Sequence, residues 1–156
     1  MSLDAPQTTI DGAEYRFGIA AARFNADLVD GLLQRVSSVL KGAGVKEANV
    51  ALLRVPGSHE VPWAAHTLAV HSQCDCVIGL GVLIAGDTNH HEMVGQSVSG
   101  ALQQVALQTG TPMINGVIVA NTEEQARERC RGRINRGAEF AHAALEMAAL
   151  RRKFPR

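Results

Sequence analysis

The stretch Gly81-Val-Leu-Ile-Ala-Gly-Asp-Thr-Asn-His-His-Glu92 decides how this chain is read. An apolar run ends in Gly86-Asp87-Thr88, two histidines follow, and a helical pattern begins at once. Gly86 lets a backbone come close to a ligand. Asp87 and Thr88 suit a helix N-cap, where free N–H groups attract anions. His90 and His91 can move protons near neutral pH. A strand end followed by a helix start is also where open α/β sheets bind their ligands. From its residues alone, this stretch is a site for a phosphorylated or otherwise anionic small molecule, with a histidine at hand.

The same alternation extends in both directions. Tyr15 to Ala22, Asn49 to Val55, Cys76 to Ile84 and Pro112 to Val119 are short apolar runs and are expected as strands. Between them lie helical patterns. One starts at Asn25 or Asp27 and ends at Gly42 and Gly44. Others cover Glu60 to His71, with Pro62 in the first turn, and Met93 to Thr109. Thr122 with Gln125 three residues on forms a capping box for a further helix. A basic break at Arg131–Arg133 precedes the last helix, about Gly137 to Leu150. The strands are continuous apolar runs, as expected when both faces of a parallel sheet are covered. The expected fold is therefore α/β: a three-layer sandwich of a four-stranded parallel sheet with helices on both faces. Residues 14–156 are expected to form a single domain. Residues 1–13, polar with Pro6 and Gly12, are expected to be a flexible arm that a neighbour could order.

Composition narrows the function. The chain has 156 residues, 46% hydrophobic and 19% charged, so it is expected to be globular. Lys+Arg and Asp+Glu are both 15, without the basic excess of a nucleic-acid binder. The 3 cysteines, at 74, 76 and 130, are no disulfide framework and point to a reducing, cytoplasmic setting. Cys74 and Cys76 are expected on one sheet face as buried small hydrophobes. No long apolar run predicts a membrane span, and the N-terminus lacks a signal-peptide core.

In such a fold the carboxyl ends of the strands share one rim. Four segments meet there: Ala22-Arg-Phe-Asn25, Val55-Pro-Gly-Ser-His-Glu60, Ala85–Glu92 and Ala120-Asn-Thr122. Phe24 either seals the sheet top or stands exposed to stack on a planar heterocycle; its polar neighbours favour exposure. Pro56-Gly57-Ser58 is either a simple turn and cap or a presentation of Ser58 and helix N–H groups to a ligand. Position leaves both readings open. There is no His-Glu-x-x-His and no zinc-type Cys/His spacing, so no metal is expected. One of His90 and His91 is expected as general acid/base and the other as a surface or packing residue. The arginines from Arg127 to Arg136 form a solvated basic patch, or one of them completes the anion site through its fork of N–H donors. Neither Gly-x-Gly-x-x-Gly nor a Walker lysine motif occurs, so neither a dinucleotide nor a nucleoside triphosphate is indicated.

Taken together, these segments resemble 6,7-dimethyl-8-ribityllumazine synthases, the penultimate enzymes of riboflavin biosynthesis. The resemblance runs from about Phe17 to Leu150. Besides the rim segments it rests on Gln108-Thr-Gly-Thr-Pro112, Asn121-Thr-Glu-Glu-Gln-Ala126, Asn135-Arg-Gly137 and Ala144-Leu-Glu-Met147. It implies a flavodoxin-like sandwich and a transferase without cofactor. That enzyme joins 5-amino-6-ribitylaminouracil to 3,4-dihydroxy-2-butanone 4-phosphate with release of phosphate and water. It implies that Phe24 stacks on the pyrimidine ring and that the backbone of Val82, Leu83 and Ile84 meets its edge. Asn25, Gly57, Ser58, His59, Glu60 and Asn115 are assigned to the substrate. Gly86, Asp87 and Thr88 are assigned to the phosphate, His90 to proton transfer, and Arg129 of a neighbouring subunit to the phosphate.

The chain departs from the family pattern at several positions. Ala85 stands where arginine is usual. His59, His91 and Asn115 stand where aromatic residues are usual, and Arg136 where lysine is common. Arg127, Arg131 and Arg133 compete with Arg129 for the phosphate role. These departures keep an alternative open: a low-activity relative that mainly binds flavin or lumazine, or forms a shell. The resemblance also implies a homopentamer or a multiple of it, with each site between adjacent subunits. The arm is suited to adding an edge strand to a neighbour. No nucleic-acid or membrane partner is expected.

Overall fold

The computed structural model describes residues 9–155. Four strands form one parallel sheet: β1 (Phe17–Ala22), β2 (Val50–Val55), β3 (Cys76–Ile84) and β4 (Met113–Ala120). Their order is β2-β1-β3-β4. Helices α1 (Ala26–Gly42), α2 (Val61–His71), α3 (His90–Thr109), α4 (Glu123–Cys130) and α5 (Arg136–Arg152) connect and follow them. Right-handed crossovers put helices on opposite faces when the path reverses direction. The chain moves outward from β1 to β2 through α1, then back across β1 to β3 and β4 through α2 and α3. Accordingly α1 and α5 pack together on one face, and α2 and α3 on the other. The expected three-layer α/β sandwich is thus present.

Burial follows strand position. Every residue of the two central strands is buried except Leu83 and Ile84 at the end of β3. The edge strands β2 and β4 are largely half-exposed, with Leu52 and Val119 in solvent. One core cluster joins Phe17, Ile19, Ile78 and Leu80 to Leu32, Val36 and Leu145 of the α1–α5 face. The other joins Val77 and Val55 to Val61, Leu68, Val98 and Leu102 of the α2–α3 face.

Three local expectations need correction. Helix α3 starts at His90, not Met93, so both histidines lie in its first turn. The Thr88 hydroxyl accepts the His90 N–H at 3.3 Å, but the N-cap itself is Asn89. Cys74 and Cys76 are both buried but pack on opposite faces, one in each cluster. Strand alternation fails there because β3 begins only at Cys76, after a turn with Gln73 at φ 51°. The box at α4 is shifted by one residue. Thr122 Oγ1 accepts from the Gln125 N–H, while Gln125 Oε1 accepts from the Asn121 N–H instead of Thr122.

Two features hold the ends of the sandwich. At the start of β3 the buried Asp75 carboxylate accepts from the Arg16 backbone N–H, Arg151 and Arg152, tying β1 to the end of α5. Residues 9–13 lie against the α1–α5 face: the Gly12 N–H donates to the Ala43 carbonyl at 2.7 Å. The remainder of the proposed arm, residues 1–8, lies outside the described residues.

Close packing at β4 depends on one absent side chain. A Cβ on Gly116 would come within 2.6 Å of the Gly79 carbonyl oxygen and within 3.0 Å of the Phe140 ring. Backbone on one side and a buried ring on the other cannot both yield. Gly116→Ala is therefore expected to lower unfolding free energy by about 1–3 kcal/mol, the range for overpacking, measured as a shift in the urea midpoint at unchanged slope.

Candidate active site

Strand order reverses between β1 and β3, and the loops leaving their carboxyl ends diverge to opposite faces. Such a point leaves a crevice. Here it is deepened because β3 outruns its neighbour. β1 pairs with β3 as far as Ala21↔Leu80, whereas β4 follows β3 to Ile84↔Ala120. Residues of an extended strand direct their N–H and C=O alternately to either side. The Ala85 N–H binds Ala120 of β4, so Leu83 also faces β4, and Val82 and Ile84 face the crevice. Asn25 Nδ2 donates to the Val82 carbonyl at 2.8 Å. The polar groups of Ile84 face the crevice with no strand beside them.

The loop after β1 is bent to frame this strip. The Arg23 N–H donates to Val55 O and the Phe24 N–H to Pro56 O, so the chain runs on beside β2 past the strand end. Asn25 then turns back in the left-handed region, φ 57°. Asparagine tolerates that region better than other non-glycine residues. The result leaves the Phe24 ring 71% exposed at the mouth of the crevice. It does not seal the sheet.

The segment after β2 forms the adjoining wall. A 3₁₀ turn, Ser58–Glu60, runs into α2. The Glu60 carboxylate accepts the Gly57 N–H at 2.9 Å, fixing the turn. Ser58 is buried above Gly81; a Cβ there would collide with its hydroxyl. His59 is exposed.

After β3, residues Gly86, Asp87, Thr88, Asn89 and His90 are all exposed. A Cβ on Gly86 would meet nothing within 4 Å, so packing gives no reason for glycine. His90 projects into solvent, while His91, one residue on, is 8% exposed with neither ring nitrogen partnered. The roughly 100° step between neighbouring helical residues makes one histidine available and buries the other.

Arg127 and Arg131 are both ion-paired to Asp27 of α1, and Arg133 to Glu128. Arg129 makes no ion pair among the described residues; Nη1 donates to the Gln125 carbonyl of its own helix. With Ala126 and Cys130 of α4 buried, helical spacing puts Arg127 and Arg129 on opposite flanks. Arg127 lines a hollow of about 290 Å³ with Asn25, Asp27 and Ile84. Arg129 faces away from that hollow. Asn115 is exposed on the β4 edge in register with Gly79, five residues short of the Ile84 level. The chain thus gathers Phe24, Asn25, the Gly57–Glu60 turn, Val82–Ile84 and Gly86–His90 at one rim, and leaves Arg129 and Asn115 outside it.

The cysteines are unsuited to nucleophilic work. Burial pushes the Cys74 and Cys130 thiols up to about 11. Among the described residues no group of His, Cys, Asp and Glu could hold a metal ion, and no helix is long and apolar enough to cross a membrane.

Sequence reading missed the role of Asn25 as a strut for β3. Its signal was an asparagine directly after a strand end, a common place for left-handed backbone. Asn25→Gly removes the bond to Val82 but suits φ 57°; Asn25→Ala removes the bond and adds left-handed strain of about 1–2 kcal/mol. The alanine variant is therefore expected to be the less stable of the two by that amount in chemical denaturation.

Comparison with known proteins converges on one family. A profile described as 6,7-dimethyl-8-ribityllumazine synthase matches residues 14–152. A protein of that name from Nitrosospira multiformis is 38% identical over 146 residues, covering 94% of this chain and 89% of the relative. One from Halorhodospira halophila is 41% identical over 139 residues, covering 88% and 89%. One from Xanthomonas oryzae pv. oryzae is 40% identical over 141 residues, covering 90% and 92%. With the matched region spanning all four strands and every rim loop, the chain belongs to the 6,7-dimethyl-8-ribityllumazine synthase family.

Proposed function

We propose that this chain is a 6,7-dimethyl-8-ribityllumazine synthase acting in the penultimate step of riboflavin biosynthesis, in the cytoplasm, as one domain over residues 14–156. It condenses 5-amino-6-ribitylaminouracil with 3,4-dihydroxy-2-butanone 4-phosphate. The observation that carries the reading is the open strip of β3 beside an exposed aromatic ring. Phe24 offers a face to a planar ring, and the open side of Val82–Ile84, through Ile84, offers a donor and an acceptor to its edge. Asn25, Gly57, Ser58, His59 and Glu60 hold the ribityl chain and nearby polar atoms. The exposed Gly86-Asp87-Thr88 turn ahead of α3 takes the phosphate, where the helix N-terminus favours an anion.

The chemistry suits these groups. The ring amine attacks the ketone, water leaves, and an imine forms. A proton moves from the adjacent carbon and phosphate is eliminated. The resulting enol tautomerises to a new ketone, and the ribitylamino nitrogen adds to that ketone and closes the second ring with loss of another water. Each step moves protons and develops charge on oxygen, with no change of overall oxidation state. His90, exposed beside the phosphate turn, is the shuttle. Holding both substrates in one crevice supplies further acceleration through proximity. Mixing the purified protein with both substrates tests the reading directly: formation of the fluorescent lumazine no faster than the uncatalysed condensation would rule it out.

The two histidines separate chemistry from packing. His90→Ala is expected to lower kcat by roughly 10²-fold, a usual loss for an acid/base group, with the unfolding midpoint unchanged. His91→Phe replaces two unpartnered buried nitrogens by carbon in a ring of similar size. It is expected to leave turnover within a few-fold of wild type and stability equal or higher. The reverse order in a steady-state assay would exchange their roles.

The site is completed by a neighbouring subunit of a pentamer or a multiple of it. Support comes from Arg129 and Asn115, which lie outside their own rim, and from Trp63, Met93 and Val119, large apolar side chains left exposed. Phe24→Ala and Arg129→Ala proteins, each nearly inactive alone, are expected to regain part of the wild-type rate when co-assembled, because some interfaces then pair an intact rim with an intact Arg129. Sedimentation velocity showing a concentration-independent monomer of full activity would contradict the shared site.

A further inference from the structure

The amino ends of the strands lie about 30 Å from the rim, the span of the nine residues of β3 at about 3.3 Å each. There the fold opens a cavity of about 390 Å³ whose lining includes Arg16, Val70, Gln73, Asp75, Arg151 and Arg152. Three arginines and one carboxylate lie in that lining, a positive excess, with Glu14 close enough to act on Arg152.

Asp75 is saturated. Its oxygens accept the Arg16 backbone N–H at 2.8 Å, Arg151 Nη1 at 3.3 Å, and Arg152 Nε and Nη2 at 2.6 and 2.9 Å. A carboxylate offers about four lone-pair directions. Arg152 is also committed: Nη2 reaches the Glu14 carbonyl at 2.9 Å, and its plane covers the Tyr15 ring at 5.5 Å. Arg16 and Arg151 are not. The Arg16 guanidinium meets no acceptor among the described residues. Arg151 touches Asp75 through one nitrogen, and its Nε is buried without a partner. The buried Arg151 Nε is costly to leave without an acceptor, and the exposed Arg16 lines the same cavity.

We propose that this cavity is a second anion site, which takes the phosphate of a small phosphate ester. The positive excess of the lining suits an anion. The unused donors come from two directions, the start of β1 and the end of α5. A phosphate group offers three acceptor oxygens to such donors, whereas a planar carboxylate is filled by one guanidinium fork. The cavity lies in the range of small-molecule pockets and has room beyond a bare ion. Ala69 and the half-exposed Val70 in its lining give the body of an ester an apolar wall.

Isothermal titration calorimetry on the assembled protein, with phenyl phosphate and separately with inorganic phosphate, tests this. No substrate is present, so the readout stands apart from turnover. Arg16→Gln is the main variant, since that side chain supports no described contact; Arg151→Gln is the second. Phenyl phosphate is expected to bind wild type in two classes, one of them weakened at least tenfold by Arg16→Gln while synthase kcat and KM stay within twofold. Inorganic phosphate is expected to bind that class at least threefold more weakly than the ester. Isotherms unchanged by both substitutions, or a loss of turnover in parallel with binding, would overturn the site. Inorganic phosphate binding as tightly as phenyl phosphate would overturn its assignment to an ester.

Discussion

Val82 to Ile84 hydrogen-bond to β4 on one side and have no strand on the other. Backbone groups exposed in this way require partners, and the rest of the rim is arranged around that requirement. Asn25 meets one of them, the Val82 carbonyl. Its own backbone is left-handed there, and the same turn leaves Phe24 projecting beside the strip. The mismatch between β1 and β3 thus leaves an open backbone edge beside an exposed aromatic ring.

The mismatch is tolerated because the sheet is anchored elsewhere. β1 and β3 are buried on both faces by two separate apolar clusters, and at the amino ends Asp75 joins β1, β3 and α5 through charged hydrogen bonds. Burial of large apolar area supplies most of the stability. The rim can therefore carry features that cost stability: a left-handed asparagine, an exposed phenylalanine, and an exposed turn at Gly86–Asn89 where nothing packs on the glycine.

Adjacent residues divide their labour by direction alone. His90 and His91 are chemically the same, yet one faces solvent and the other sits buried with no partner for its ring. Arg127 and Arg129 differ likewise: one is bound to Asp27 beside its own rim, the other stands on the opposite flank of α4. Helical rotation turns a short basic run into one tie to α1 and one group turned to the opposite flank.

The sequence by itself determined the α/β alternation, because continuous apolar runs and helical spacing each have one physical reading when repeated four times. It also determined the rim loops, since glycine, asparagine, serine and threonine at strand ends have few other uses, and the family, through the order of those loops. Tertiary structure decided what depends on register and direction. Strand pairing alone revealed that β3 outruns β1. The split of Cys74 and Cys76 between two faces followed from where β3 begins, and α3 starting at His90 placed one histidine inside and one outside. The convergence of Arg16, Arg151 and Arg152 on Asp75 joins positions up to 136 residues apart in the chain, about as far as its length allows. No local pattern encodes a contact of that separation; only packing of α5 back onto the first strand brings those charges together.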